Sequence, residues 1–287
     1  MKAYSILLFT LFLNLSAIAQ NGASLKISCD IEGATVKLNN VVKGITPLEI
    51  IVIPGTYTLI ITKPISENQE YFHKETITIK NMEIKHITIK LEKQFTEAYK
   101  KKIASIQANI QYGNFTDNRD SKTYKTVKIS TQTWMSENLA YKASSGCWAY
   151  DNDVKNVAKY GYLYDWETAK TVCPTGWHLP TDAEWTTLTT NLGGDDVAGG
   201  KLKSTTNWTS PNTGATNESG FTALPGGYCI RGGGSFSGVS NYGSWWTATE
   251  YDAPYVWGRD LDYSLATVSR GGNHKAFGFS VRCLKDN

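Results

Sequence analysis

The sequence has little that could hold it in a membrane. Its one pronounced apolar run, residues 6–13, is far shorter than the roughly 20 residues that cross a bilayer. Lys2 precedes this run and Ala17-Ile18-Ala19 follows it, which is the small-x-small pattern of a signal-peptidase site. We therefore predict a signal peptide over residues 1–19, cleaved after Ala19, a secreted or outer-surface location and no transmembrane segment.

Cysteine is scarce and never closely spaced. The five cysteines are Cys29, Cys147, Cys173, Cys229 and Cys283, and without CxxC pairs a zinc site is not expected. Cys29 lies well past Ala19, so it is not placed to carry a lipid anchor. Because five is odd, one thiol stays free or pairs with another chain, and Cys29, alone in its half of the sequence, is the candidate.

No strong excess of one charge is present either. The 29 basic and 26 acidic residues give a net charge of +3 and are interspersed, with only the short Lys100-Lys101-Lys102 cluster. No basic face indicates a nucleic-acid partner. The cluster is typical of a solvated helix face, and no feature fixes an oligomeric state.

The familiar catalytic motifs are missing as well. The chain contains no HExxH, no GxSxG and no P-loop. His73 and His86 fall in predicted strands and His274 falls in a glycine-rich loop, and none of these has a recognisable partner in the sequence. We therefore expect no enzyme, no catalytic residue and no cofactor.

Residues 24–93 form a series of short segments in which apolar and polar residues alternate, the pattern of β-strands. Val, Ile and Thr dominate it, and branched side chains suit a sheet with one buried face. The pattern predicts a small all-β sandwich with strands over residues 25–28, 35–38, 48–53, 57–62, 75–79 and 84–91.

This segment resembles the PEGA domain, a small surface-associated β module. The matching stretches are Gly33-Ala34-Thr35-Val36-Lys37-Leu38-Asn39, Gly44-Ile45-Thr46-Pro47-Leu48 and Pro54-Gly55-Thr56-Tyr57, with Ile31 where the family has its first proline. The resemblance implies a spacer or adhesion module. Residues 94–114 then predict a linker whose helix, over residues 95–110, carries Ile103, Ile106 and Ile110 at helical spacing.

From residue 115 the composition changes, because all nine tryptophans lie in this part. Thr181 and Glu184 have the spacing of a capping box that opens a helix, with Trp185, Leu188 and Leu192 on one face. A further helix is predicted over residues 162–172.

Residues 115–287 resemble the Fibrobacter succinogenes major paralogous domain, related in fold to C-type lectins and to formylglycine-generating enzymes. Seven ordered blocks carry the resemblance: 115–120, 133–139, 160–166, 173–185, 220–227, 245–250 and 278–283. It implies an α+β fold: a C-type-lectin-like domain with a small antiparallel sheet, a few helices and long loops.

Within that fold Cys173 and Cys283 are expected to form a disulfide. A second cysteine follows Cys147 by about ten residues in many family members, but Val157 stands there in this chain. Cys147 is therefore expected to pair with Cys229, the remaining cysteine of the domain. The carbohydrate triplets of calcium-dependent lectins are absent, so Asp151-Asn152-Asp153 and Asp195-Asp196 are read as turn residues and no metal is expected.

The segment 226–272 combines many tyrosine and tryptophan residues with Gly, Ser and Asn, a mixture that antibody paratopes also use. Trp245 and Trp246 belong to a family block and are expected in the core. The predicted ligand-binding residues are Tyr251, Tyr255, Trp257, Arg259 and Tyr263. The leading hypothesis is a binding protein for a glycan or protein; the alternatives are an envelope assembly component and, third, an enzyme related to formylglycine-generating enzymes.

Overall fold

The computed structural model describes residues 22–286. The predicted signal peptide therefore lies outside the described residues. The chain divides between Lys102 and Ile103 into two compact units. None of the helices in the described range is both long and apolar enough to span a bilayer.

The N-terminal unit is built from two β-sheets. Its strands are β1 (Ala23–Cys29), β2 (Thr35–Leu38), β3 (Val41–Ile45), β4 (Leu48–Val52), β5 (Gly55–Pro64), β6 (Gln69–Ile79), β7 (Ile84–Ile89) and β8 (Glu92–Phe95). One sheet has the order β4-β1-β7 and the other β3-β2-β5-β6-β8. All six predicted strands are present, while β3 and β8 were not predicted.

Alternation along these strands places one set of side chains inside. On β1, Ala23, Leu25 and Ile27 are buried, and Val36, Leu59 and Ile61 join them in the same core cluster. Branched and apolar residues at every second position thus form the shared interior of the two sheets.

A helix, α1 (Glu97–Ala108), follows β8. The Oγ1 of Thr96 accepts a hydrogen bond from the backbone N–H of Tyr99 at 3.3 Å, as expected of a residue at a helix start. Ile103 is buried and Ile106 is exposed. The helix lies inside the range predicted for the linker.

The C-terminal unit combines helices with two sheets. Its helices are α2 (Val157–Tyr160), α3 (Trp166–Val172), α4 (Asp182–Asn191) and α5 (Asp195–Leu202). Its strands are β9 (Tyr112–Asp117), β10 (Lys122–Ile129), β11 (Gln132–Met135), β12 (Cys147–Trp148), β13 (Leu163–Tyr164), β14 (Trp177–His178), β15 (Gly226–Ile230), β16 (Ser235–Val239), β17 (Tyr242–Asp252), β18 (Tyr255–Asp262), β19 (Ser269–His274), β20 (Phe279–Ser280) and β21 (Leu284–Lys285).

One C-terminal sheet has the order β14-β21-β11-β10-β9. The other has the order β12-β13-β20-β17-β15-β16, with β18 added to β17 and β19 added to β18. Helices and sheets within one unit agree with the α+β prediction. The β17–β18–β19 ribbon extends from the second sheet and carries the candidate site.

The predicted helix over residues 162–172 begins too early. Leu163 and Tyr164 instead form β13, which pairs with β12 on one side and β20 on the other. The helix starts at Trp166 because Asp165 caps it, accepting a hydrogen bond from the Thr168 N–H at 2.8 Å. The capping box of Thr181 and Glu184 at the start of α4 is confirmed.

A buried polar centre links four of the family blocks. The Oδ1 of Asn138 accepts hydrogen bonds from Trp245 Nε1 at 2.9 Å and from the Nε and Nη2 of Arg282 at 3.1 and 2.9 Å. Arg282 Nη1 donates to the carbonyl oxygens of Met135 and Phe221. These residues are therefore scaffold, and Trp245 and Trp246 lie in the core as predicted, 1% and 0% exposed.

The disulfide between Cys173 and Cys283 is formed, which confirms that prediction. The predicted Cys147–Cys229 bond is wrong, since both thiols are free. Cys147 lies on β12, which pairs with β13, and its thiol donates to the Ala143 carbonyl. Cys229 lies on β15, and its sulfur accepts a hydrogen bond from the Gly233 N–H. The two thiols are thus held in separate surroundings. Cys29 is also free.

Candidate ligand-binding face

The β17–β18–β19 ribbon brings distant residues of the sequence together. Tyr255 pairs with His274, Trp257 with Gly272 and Arg259 with Arg270. The pairing of β17 with β18 has register shifts on both sides of Glu250. Such irregularities re-aim side chains at a strand end, and they bring Tyr251 beside Trp257.

The exposed end of the ribbon is aromatic. Tyr251 is 55% and Tyr255 is 44% exposed, whereas Trp257 is half-buried. The ring centroids of Tyr251 and Trp257 are 4.4 Å apart in an edge-to-face arrangement, and those of Tyr255 and His274 are 5.9 Å apart. We call Tyr251, Tyr255, Trp257, Arg270 and His274 the aromatic face.

Gly272 makes room for this arrangement. A Cβ atom at this position would lie 2.7 Å from Cδ1 of Tyr251, so any side chain would displace the tyrosine ring. The neighbouring Gly271 has no atom within 4 Å of the equivalent point. Glycine at position 272 therefore sets where the Tyr251 ring lies.

An ion-pair cluster fixes the other side of Trp257. The Cζ of Arg270 lies 3.4 Å from the centroid of the Trp257 ring, a cation–π contact. Its Nε and Nη2 donate to the two carboxylate oxygens of Asp182 at 2.9 and 2.8 Å. This planar, two-bond pairing restrains Arg270 more than a single contact would.

Asp182 holds two cations at once. Arg259 Nη1 lies 2.7 Å from Asp182 Oδ1. Burial raises the pKa of Asp182, but the hydrogen bonds from Arg270 and Arg259 outweigh it, and the pKa lies below its ordinary value of 3.8. Asp182 is also the first residue of α4, where the helix dipole favours a negative charge. The carboxylate is therefore ionised at neutral pH, and the cluster carries one net positive charge.

Arg259, a predicted ligand-binding residue, does not lie at the surface. Its side chain is 2% exposed, because Arg259 lies beneath Asp182 and donates to the carbonyl oxygen of Asp182 and the hydroxyl of Thr186. Arg259 supports the face from below. Arg270, paired with it across the ribbon and 40% exposed at its side chain, occupies the surface position instead.

Tyr263 does not join the other predicted residues. It follows the last residue of β18, eight residues from Tyr255, which is roughly 26 Å along an extended strand. Its side chain packs partly against the core cluster that contains Trp185 and Leu261. Of the five predicted ligand-binding residues, the structure brings together Tyr251, Tyr255 and Trp257.

Sequence reasoning missed Arg270 and His274, which belong to the face, and Asp182, which holds Arg270 in place. Asp182 stands in a family block and reads as a helix-start residue, which it also is. Arg270 carries no local signal, because its role depends on the register of β18 with β19.

The sequence candidates for metal ligands lie in turns and caps. Asp153 accepts a hydrogen bond from the Lys155 N–H at 3.0 Å, and Asp151 and Asn152 have positive φ angles. Asp195 and Asp196 form the first turn of α5. Within residues 22–286 no group of three or more His, Cys, Asp or Glu side chains is placed to hold a metal ion.

The more unusual titratable groups have structural partners. Burial lowers the pKa of Lys203 to about 8, and its Nζ donates to the carbonyl oxygens of Asp262 and Leu265 at 2.8 and 2.7 Å. His178 lies between Glu184 and Asp286. Neither group belongs to the aromatic face.

Comparison with known proteins matches both units to families. The family model of the Fibrobacter succinogenes major domain matches residues 127–285, and that of the PEGA domain matches residues 23–94. No curated protein and no solved structure matches the chain.

Proposed function

The chain belongs to the Fibrobacter succinogenes major domain family and carries a PEGA domain, and from this membership we propose that it is a non-enzymatic surface protein that binds a glycan. The PEGA domain is typical of extracellular proteins. We further propose that the signal peptide is cleaved after Ala19, that the C-terminal unit has a C-type-lectin-like fold and that its aromatic face holds the ligand.

One observation carries the proposal: two exposed tyrosines stand at the ribbon end on a restrained base. Tyr251 rests against Trp257, which Arg270 covers, and Asp182 holds Arg270 in place. Tyrosine and tryptophan present large contact area with few rotatable bonds, so a fixed base reduces the entropy lost on binding.

The chemistry of the face suits a sugar ring. Tyrosine rings stack on the apolar face of a saccharide, while the free hydroxyl groups and the Arg270 guanidinium supply hydrogen bonds to its hydroxyls. We propose a calcium-independent mode of binding, because none of the five aromatic-face residues has a carboxylate and Asp182, which holds Arg270, already pairs with two arginines.

The non-enzymatic part rests on where the reactive groups lie. Lys203 donates hydrogen bonds to backbone carbonyl oxygens, and His178 lies between two carboxylates. Burial raises the pKa of the Cys147 and Cys229 thiols. A raised pKa keeps a thiol protonated and unreactive.

The test is a glycan array and a cell-envelope pull-down with the full chain and the Tyr251→Ala/Tyr255→Ala variant. Tyr242→Ala is the matched control, because Tyr242 is 40% exposed on the same ribbon at the other end of β17. Glycan binding lost in the double variant and kept in Tyr242→Ala supports the proposal. Capture of a protein alone, or binding that survives the double variant, contradicts it.

A second candidate function is assembly of the cell envelope. It is favoured by β3, an edge strand on which Val41, Val42 and Ile45 are 57–59% exposed. An apolar edge strand offers unpaired backbone groups to another chain. Under this alternative, Val41→Lys/Ile45→Lys abolishes envelope association while the aromatic-face variant leaves it intact.

A further inference from the structure

A cavity in the C-terminal unit has the character of a binding site and shares no residue with the aromatic face. It encloses about 270 Å³, a volume suited to a ligand near the size of one sugar unit. Its lining comes from β9, β10, the residues 136–140 that follow β11, the region of α2 and residues 222–224, and it includes none of the aromatic-face residues.

The lining is positively charged. Lys122, Lys125 and Lys159 contribute three ammonium groups, and Glu137 contributes one carboxylate. Within residues 22–286 these three lysines form no salt bridge, although Lys122 and Lys159 lie over the rings of Tyr124 and Tyr160. The three lysines and Glu137 together give the lining a net charge of +2, which can attract a negatively charged ligand.

A fourth cation lies directly behind the cavity wall. Arg282 is 1% exposed and donates hydrogen bonds to Asn138 Oδ1 and to the Thr222 carbonyl, and both residues line the cavity. Its other hydrogen-bond partners in the described chain are carbonyl oxygens. Burial lowers the pKa of Arg282, and Glu137 in the cavity lining is the carboxylate that acts on its charge, without a salt bridge between them. A buried charge in low-dielectric surroundings acts over a longer range than a solvated one.

The remaining lining has the groups that hold a polar ring. Ser136 carries a hydroxyl group, lines the cavity and is 4% exposed. Tyr112 is 48% exposed at the rim and offers an aromatic surface. A hydroxyl group, an aromatic ring and three lysine ammonium groups in one lining match a sugar that carries a negative charge.

We propose that this cavity binds an acidic sugar unit, with its carboxylate or sulfate group held by Lys122, Lys125 and Lys159. In this arrangement the ring of the sugar lies against Tyr112 and Ser136. The site is separate from the aromatic face, so the proposal stands or falls independently of the function assigned to that face.

The test is calorimetric titration of the full chain with a glucuronic acid-containing disaccharide, its carboxyl-reduced neutral counterpart and inorganic phosphate. The site variant is Lys122→Gln/Lys125→Gln/Lys159→Gln. The control, Lys90→Gln/Lys101→Gln/Lys102→Gln, makes the same change in net charge at exposed lysines elsewhere. Circular dichroism and thermal unfolding show that both variants are folded.

The expected result is binding of the acidic disaccharide that the site variant weakens about tenfold or more, since each charged hydrogen bond contributes on that scale. The control and the Tyr251→Ala/Tyr255→Ala variant bind as the wild type does. Equal binding of the neutral disaccharide, equal loss in the control, or no binding at all overturns the proposal. Phosphate binding as tight as that of the disaccharide shows a free-anion site and overturns the sugar assignment.

Discussion

His178 lies between two carboxylates at the edge of the C-terminal unit. Its Nδ1 is 2.6 Å from Asp286 Oδ1 and its Nε2 is 3.1 Å from Glu184 Oε1. Burial disfavours the charged imidazole, but the hydrogen bonds to Asp286 and Glu184 outweigh it, so the pKa of His178 lies above its ordinary value of 6.5. The protonated ring joins the first turn of α4 to the residue that follows the last strand.

A pH-dependent contribution to stability follows. Because the folded pKa is raised, the contribution is fully present below about pH 6.5, the ordinary pKa, and is lost as pH rises through the folded pKa. We expect His178→Gln to destabilise more at pH 5.5 than at pH 9, by under about 1 kcal/mol at this partly exposed site. Urea unfolding followed by tryptophan fluorescence reports on this unit, which holds all nine tryptophans. Equal destabilisation at both pH values contradicts the assignment.

Arg282 is the residue on which the polar centre depends most. Its replacement by methionine leaves Asn138 Oδ1 with one of its donors, from Trp245, and removes donors from the Met135 and Phe221 carbonyls. Buried acceptors without donors are expensive, so we expect Arg282→Met to destabilise the C-terminal unit by about 3 kcal/mol or more. Chemical denaturation measures this loss, and a change below about 1 kcal/mol would show that the network is dispensable.

At the residue scale the sequence predicted core positions better than surface positions. Trp245 and Trp246 were placed correctly because they belong to a family block and are apolar. Arg259 was misplaced because an arginine is ordinarily exposed, and its partner Asp182 lies 77 residues away in the chain. No local pattern shows that such a pair will meet.

At the scale of elements, the ribbon gives a test of how the face is shaped. Gly272→Ala places a Cβ 2.7 Å from Tyr251 Cδ1 and so displaces the ring, whereas Gly271→Ala meets no atom within 4 Å. We expect Gly272→Ala to weaken retention on cell-envelope polysaccharide several-fold while thermal stability changes by less than about 1 kcal/mol. Gly271→Ala should behave as wild type. Equal retention of both variants would show that binding does not depend on where the Tyr251 ring lies.

Elements defined by local chemistry were predictable and those defined by distant pairing were not. The capping box before α4 involves residues three apart, so it is visible in the sequence. Strands β12, β13, β14, β20 and β21 have two residues each, too few to show a period, and exist because partners from elsewhere pair with them. The register of β18 with β19, which creates the aromatic face, belongs to the second kind.

At the scale of the whole molecule, each unit has its own core. One cluster of buried side chains comes from residues 23–91, and the clusters around Trp246 and Trp245 come from the C-terminal unit. The Cys173–Cys283 disulfide closes a loop of 110 residues within the C-terminal unit alone.

Removal of this disulfide should therefore weaken one unit. In the chain-entropy model a loop of this length contributes about 4 to 5 kcal/mol. We expect Cys173→Ala/Cys283→Ala to lower the urea midpoint seen by tryptophan fluorescence by the equivalent amount, with Cys147→Ala as the matched control for loss of a thiol. A double variant as stable as the control would mean that the bond does not constrain the unfolded chain.

The family and the α+β class followed from the sequence because ordered motif blocks survive in it. The wrong Cys147–Cys229 pairing came from counting cysteines without knowing which strands are neighbours.

The central claim, that the aromatic face holds the ligand, is tested most directly by hydroxyl-radical footprinting of the full chain with and without cell-envelope polysaccharide. The account predicts protection of Tyr251 and Tyr255 with Tyr242 unchanged. Protection of none of the three, or of Tyr242 to the same degree, would contradict it.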